Sequence, residues 1–257
     1  MDGNAVIRKE GVARSYGDLV RLSGVHKYYG GGVALVHALH GIDLQIAAGE
    51  IVAVCGPSGS GKTSLLNLIA MLEPASEGAI VIASMLTGKL SDQARADLRS
   101  DMIGLVFQAF TLIPVLTARE NVLLPLMLRG HMEQNALNAA RARADDLLGQ
   151  LGLATQAHDY PQRLDASQRQ RVAVARALIG KPRLVLADEP ASRLDSAGIR
   201  LMMDLLARER TEHGTAFLIS TRDQRQLSRV ERVLQLGEGR LHSAPASSAR
   251  KPLRAEV

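Results

Sequence analysis

The chain has 257 residues, 46% of them hydrophobic, and a formal net charge of +5, which suits one sizeable domain or a domain with a subdomain. Three Phe, four Tyr and no Trp exclude an aromatic platform for nucleic acid, and the modest charge, spread along the chain, reads as solvated surface, so no nucleic-acid partner is expected. The single Cys55 excludes an internal disulfide and the seven His never fall at metal-ligand spacing, which excludes a structural zinc site.

Residues 1–18 lack periodicity and are expected to form a mobile extension. Between Val20 and Ile82 short apolar runs alternate with Gly-containing turns, and strands are predicted over 39–46, 51–55 and 79–83. A helical apolar face follows over 64–72. The stretch 91–180 changes character, with helical periods over 92–101, 133–151 and 168–179, and is predicted to be an inserted helical subdomain. Short apolar runs at 184–187 and 216–220 are of the buried parallel-strand type, and 233–236 with 240–242 form a predicted hairpin around Gly237-Glu238-Gly239. The tail from 243, rich in Ala, Ser, Pro and basic residues, is expected to be disordered. The order of elements implies an α/β nucleotide-binding core interrupted by helices. No apolar stretch approaches the roughly 20 residues needed to cross a bilayer, and the start lacks a secretory hydrophobic region. The expectation is a soluble cytoplasmic chain unless a partner holds it elsewhere.

The central motif is Gly56-Pro57-Ser58-Gly59-Ser60-Gly61-Lys62-Thr63, followed by Ser64. It satisfies G-x-x-x-x-G-K-[ST] between a predicted strand and a predicted helix, the context a phosphate loop requires. Gly56, Gly59 and Gly61 allow a tight turn whose N–H groups converge on a polyphosphate at a helix N-terminus. Lys62 would reach the terminal phosphates as a point charge, and the Thr63 hydroxyl would ligate Mg²⁺. A second motif, Leu184-Val-Leu-Ala-Asp-Glu-Pro190, ends an apolar strand in two carboxylates. Asp188 would hold Mg²⁺, and Glu189 would orient or deprotonate the attacking water.

Residues 20–242 resemble the ATP-binding cassette family, most closely the ATPase subunits of lipoprotein-releasing and macrolide-exporter-type systems. The stretches that carry the likeness are Leu35–His40, Gly56–Thr63, Val106–Thr117, Glu120–Pro125 and Gln168–Leu178. The resemblance implies a phosphate-loop (RecA-like) α/β core with an antiparallel β-subdomain and the helical insert. It also implies ATP and Mg²⁺ as ligands, and two chains sandwiching each ATP between one phosphate loop and the other's signature motif. By the same resemblance Tyr29 stacks on adenine, with Tyr28 an adjacent contender. Gln108 touches Mg²⁺ and the attacking water, and Asp195 lies in the loop at the dimer interface. A separate membrane permease would be the partner, with the chain peripheral on the inner face of the cytoplasmic membrane. The insert would make the contact, and Thr111 and Ala118 are the positions expected to reach a permease helix.

Two motifs depart from the family. Its signature Leu-Ser-Gly-Gly-Gln is here Leu164-Asp165-Ala166-Ser167-Gln168. Ionised Asp165 is acceptor-only and faces a phosphate with like charge; at about 4 Å and an effective dielectric near 20 the repulsion is about 4 kcal/mol. Asp165 also completes a capping box with Gln168. The family's Thr-His-Asp is here Thr221-Arg222-Asp223. Arg222 binds phosphate but stays protonated, so it can neither accept a hydrogen bond nor shuttle a proton. In a homodimer Arg222 of one chain would face Asp165 of the other, the two charges compensating, which favours a homodimer. The expected function is an ATP-hydrolysing subunit with reduced turnover. The alternative is a nucleotide-binding regulatory subunit with little hydrolysis.

Overall fold

A computed structural model describes residues 18–31, 35–109, 111–222 and 230–243. The expected mobile extension and disordered tail lie outside the described residues, apart from Asp18 and Ser243, which begin the first described strand and end the last.

Two sheets organise the fold. One is antiparallel, built from β1 (Asp18–Tyr29), β2 (Val36–Ala47), β4 (Glu77–Ile82) and β5 (Met85–Leu86) in the order β2-β1-β4-β5. The other has the order β10-β9-β3-β8-β7-β6, with β3 (Ile51–Cys55), β6 (Ile103–Val106), β7 (Leu184–Asp188), β8 (Ala216–Thr221), β9 (Arg232–Gly237) and β10 (Arg240–Ser243). Its strands pair in parallel except for the β9–β10 hairpin. β3, β7 and β8 are buried along their whole length, because layers cover both faces of the sheet. Alternation divides their side chains between two cores. Ile51, Ala53, Val185, Ala187, Phe217 and Ile219 face the helical side, whereas Val52, Val54, Leu184, Leu186 and Leu218 face α1 (Lys62–Ile69) and the antiparallel sheet. Cys55 is buried in the helical-side core, as expected of a small apolar residue.

The expected helices at 92–101, 133–151 and 168–179 are α2 (Asp92–Met102), α4 (Gln134–Gln150) and α5 (Ala166–Leu178). The stretch 91–180 is not wholly helical, however. It contains β6, which pairs in parallel with β7 and so belongs to the core sheet. Four residues, one of them a glycine, are too short to show a period of two. Gly104 sits there because any Cβ would meet the Ala177 carbonyl of α5 at 2.2 Å. Two helices were not predicted. α3 (Ala118–Met127) starts at a Thr117/Glu120 capping box and carries Pro125 inside it, which masks it in sequence. α6 (Ser196–His213) starts where the Asp195 carboxylate accepts from Gly198 N at 2.7 Å and ends at left-handed Gly214. Asp195 is therefore a helix cap in this chain. Among the described residues no helix is long and apolar enough to cross a membrane.

Candidate nucleotide site

The phosphate loop leaves β3 at Cys55 and enters α1 at Lys62. Gly61 has φ 102°, a left-handed conformation, and a Cβ there would meet the Ala38 carbonyl of β2 at 2.7 Å. Only glycine meets both conditions. Gly56 is equally enclosed, its missing Cβ lying 2.1 Å from the Leu236 carbonyl and 2.7 Å from the buried Ser60 Oγ. The loop is thus clamped between β2 and β9 before any ligand is considered. α1 has no side-chain cap, so its first N–H groups face the loop without a side-chain oxygen on them.

Lys62 is 6% exposed and donates to the Gly56 and Pro57 carbonyls, both at 2.8 Å. Burial pushes its ammonium below the ordinary lysine range, against the pull of Glu189 and Asp188. The Thr63 hydroxyl donates to Asp188 Oδ2 at 2.7 Å. Asp188 ends β7, and its other oxygen accepts from Ser220 at the end of β8, the strand between β7 and β3. Ser220 also accepts from the Glu189 backbone N–H, through Oγ at 2.9 Å and through its carbonyl at 3.2 Å. Glu189 takes φ 47°, in the left-handed region, which turns the chain sharply off the strand. Ser220 is the residue that sequence reasoning missed. Its signal was the pair of hydroxyls, Ser220 and Thr221, that closes an otherwise apolar strand.

A cavity of about 250 Å³ gathers Tyr29, Ser58, Gly59, Gly61, Lys62, Thr63, Ser64, Gln108, Glu189 and Arg222, with Ala38 from β2. Most of the predicted site thus meets in one place, from Tyr29 to Arg222, 193 positions apart in sequence. Tyr29, not Tyr28, lines it. Tyr29 Oη lies 3.2 Å from Ser64 Oγ, and the Lys27 ammonium stands 4.9 Å from its ring centre. Tyr28 instead stacks on His37, 4.2 Å between ring centres. A second cavity, about 420 Å³, shares Gln108, Glu189 and Arg222 with the first and adds Ser192, Arg193 and Thr221.

Asp165, Ser167 and Gln168 line neither cavity. They form the start of α5, where Asp165 Oδ1 accepts from Gln168 N at 2.7 Å and Gln168 Oε1 accepts from Asp165 N at 2.9 Å, the expected capping box. Arg222, expected opposite the Asp165 of a second chain, has a partner within its own chain: its Nε donates to Glu189 Oε1 at 2.6 Å. The expected permease contact also needs a correction at Ala118. That residue is fully buried at the start of α3 and cannot face a partner. Thr111 borders a third cavity of about 400 Å³ with Phe107, Leu124, Leu128 and Arg176, and Val115 and Leu128 nearby are strongly exposed.

Converging N–H groups at a helix start, backed by a strand-end carboxylate with a second acid beside it, equip a nucleoside triphosphatase. Comparison with known families narrows the class. Residues 39–192 match the ABC transporter family, and the chain belongs to that family as an ATP-binding, ATP-hydrolysing subunit. It is 43% identical over 230 residues to the lipoprotein-releasing system ATP-binding protein LolD of Anaeromyxobacter dehalogenans, covering 86% of this chain and 92% of that protein. Identity to LolD of Legionella pneumophila strain Paris is 40% over 219 residues, covering 85% and 95%. Among solved structures, the dimeric post-hydrolysis state of the ATP-binding cassette MJ0796 bound to ADP and Pi superposes with a TM-score of 0.80 at 39% identity, covering 87% of this chain and 98% of that one.

Proposed function

We propose that this chain hydrolyses Mg·ATP to drive a separate membrane permease of the lipoprotein-releasing or macrolide-exporter kind, as a homodimer on the cytoplasmic face of the membrane. The observation that carries the reading is the single cavity shared by Lys62, Thr63, Gln108 and Glu189. In this reading the phosphate-loop N–H groups and Lys62 hold the β- and γ-phosphates. Tyr29 supports the base, and Glu189 with Gln108 orients the attacking water. Thr63 Oγ1 and Asp188 Oδ2 would hold the magnesium ion. A hydroxyl and a carboxylate oxygen brought within 2.7 Å of one another are the hard oxygen donors that magnesium takes. Bound there, the ion would neutralise charge developing on the phosphates.

The homodimer rests on likeness to the MJ0796 cassette, described as a dimer, and on the opposite charges of Asp165 and Arg222. Reduced turnover is inferred from the same two residues. The permease would dock at the apolar groove by Thr111 and Leu128. Residues 19–242 form the cassette in this reading.

The test is steady-state phosphate release by the full-length chain with magnesium, beside Lys62→Ala. Release by wild type above that variant, together with loss of fluorescent-nucleotide binding in it, supports the reading. Equal rates for the two would overturn it. Cysteines at Thr111 and Val115 should crosslink to a co-purified permease, and crosslinking confined to β9 and β10 would sink the docking assignment.

A further inference from the structure

We infer that Arg222 is a latch on Glu189, closed by their ion pair and opened when a nucleotide's phosphates compete for the guanidinium; the inference rests on the hydrolytic reading above and concerns how the same site is regulated. Arg222 Nε donates to Glu189 Oε1 at 2.6 Å, a short charge-assisted bond. The Glu189 side chain is 11% exposed and the Arg222 side chain 54% exposed, so the acid is fixed and the cation is the part able to leave. Glu189 is further anchored through its backbone N–H to Ser220, and its left-handed φ sets the direction in which its side chain leaves the strand.

An oxygen that already accepts from a guanidinium is a poor acceptor for a proton of water. The guanidinium does not deprotonate, so the contact cannot relax by losing its charge. While the latch is closed, Glu189 has one oxygen engaged and the other alone available for chemistry. The two cations of the cavity differ in this respect. Lys62 donates to two neutral carbonyls, which it can leave for a phosphate without stranding an ion. Arg222 must leave a largely buried carboxylate, and does so only for a stronger anion. Both Arg222 and Glu189 border the cavity that also holds Lys62 and Thr63, so a polyphosphate there lies within reach of the guanidinium. A phosphate presents several anionic oxygens to the planar fork of an arginine, against one carboxylate at the latch. Arg222 is on this account a positioning residue acting through Glu189. Opening it offsets part of the binding energy of ATP.

The experiment uses the full-length chain as wild type, Arg222→Gln, Arg222→Lys, Glu189→Gln and the Arg222→Gln/Glu189→Gln double variant. Affinity for AMP-PNP is measured by fluorescence displacement, and kcat and KM for ATP by phosphate release. Glu189→Gln should bind AMP-PNP about three- to tenfold more tightly than wild type, because Arg222 no longer has an anion to leave. That gain should vanish in the double variant, the non-additivity expected of groups sharing a partner. Arg222→Gln should raise both kcat and KM about three- to tenfold, with Arg222→Lys between it and wild type. A Glu189→Gln affinity equal to wild type would overturn the latch, as would a fall of kcat in Arg222→Gln as deep as that of Glu189→Gln. Phosphate release by wild type no faster than by Lys62→Ala would overturn hydrolysis itself, while the AMP-PNP cycle would still decide the latch.

Discussion

The Thr63 hydroxyl donates to the Asp188 carboxylate at 2.7 Å, joining the start of α1 to the end of β7 across 125 positions of sequence. Ser220 holds the other oxygen of Asp188, so that carboxylate is aimed by two hydroxyls from two different elements. A hydroxyl that orients a metal-binding carboxylate typically contributes 10–100-fold in metal affinity. Ser220→Ala should therefore raise the magnesium concentration needed for half-maximal phosphate release by about 10–100-fold. An unchanged magnesium titration would show that Asp188 does not need Ser220.

Glu189 is the one carboxylate of the acidic motif that borders the cavity. Replacing it with the isosteric amide keeps shape and removes the charge of the proposed base. Phosphate release by Glu189→Gln should fall about 10²–10⁴-fold while nucleotide still binds. A rate equal to wild type would show that another group activates the water.

Away from the site, Arg143 of α4 pairs with Glu209 of α6 at 2.8 Å and donates to the Leu178 and Ile179 carbonyls at the end of α5, at 3.0 and 3.2 Å. The Glu209 side chain is 3% exposed, so removing Arg143 leaves this buried charge with His213, 3.9 Å away, as its remaining partner among the described residues. Arg143→Ala should destabilise folding by about 3–5 kcal/mol in denaturant melts. Nucleotide affinity per folded molecule should be unaltered. A loss under about 1 kcal/mol would mean that His213 or water compensates Glu209.

Asp165 caps α5 as well as standing at the altered signature position. Serine caps as well as aspartate, so Asp165→Ser should leave stability within about 0.5 kcal/mol, whereas Asp165→Ala should cost about 1 kcal/mol. If Arg222 meets Asp165 of a second chain, ATP-driven dimerisation should strengthen in Asp165→Ser and weaken in Arg222→His. The double variant should depart from additivity by about 0.5–3 kcal/mol. Strict additivity in dimer fraction and in rate would remove the cross-chain pairing.

His37 lies between His26, 3.0 Å away through ring nitrogens, and His40, 3.5 Å away between ring centres. Desolvation first, and then His40 and His26, hold its imidazole below the ordinary histidine range. As pH falls through about 6.5 the unfolded chain takes up a proton that the folded ring resists, so folding stability drops on acidification below that point. His37→Gln should shrink the fall in Tm between about pH 7.5 and 5.5. An identical fall in both proteins would place the acid sensitivity elsewhere.

The phosphate loop and the acidic strand end were legible in the chain itself, because local backbone chemistry dictates them. Glycines at 56 and 61 mark a turn that side chains would obstruct, Gly59 takes a left-handed φ of 78°, and apolar runs at 51–55, 184–187 and 216–220 mark strands buried on both faces. Helices α2, α4 and α5 were legible from their period. β1 was not, since the bulge at Gly24 breaks its alternation between Leu22 and Val25, and neither was β6, too short to carry a period. Which tyrosine borders the cavity, which hydroxyl aims Asp188 and where the Arg222 guanidinium goes were decided only by the tertiary structure. Each depends on strands far apart in sequence lying side by side: β8 between β3 and β7 brings Ser220 to Asp188 and sets Arg222 beside Glu189. Charge signs along a chain say that Arg222 seeks an anion, but sheet order selects which anion is within 2.6 Å.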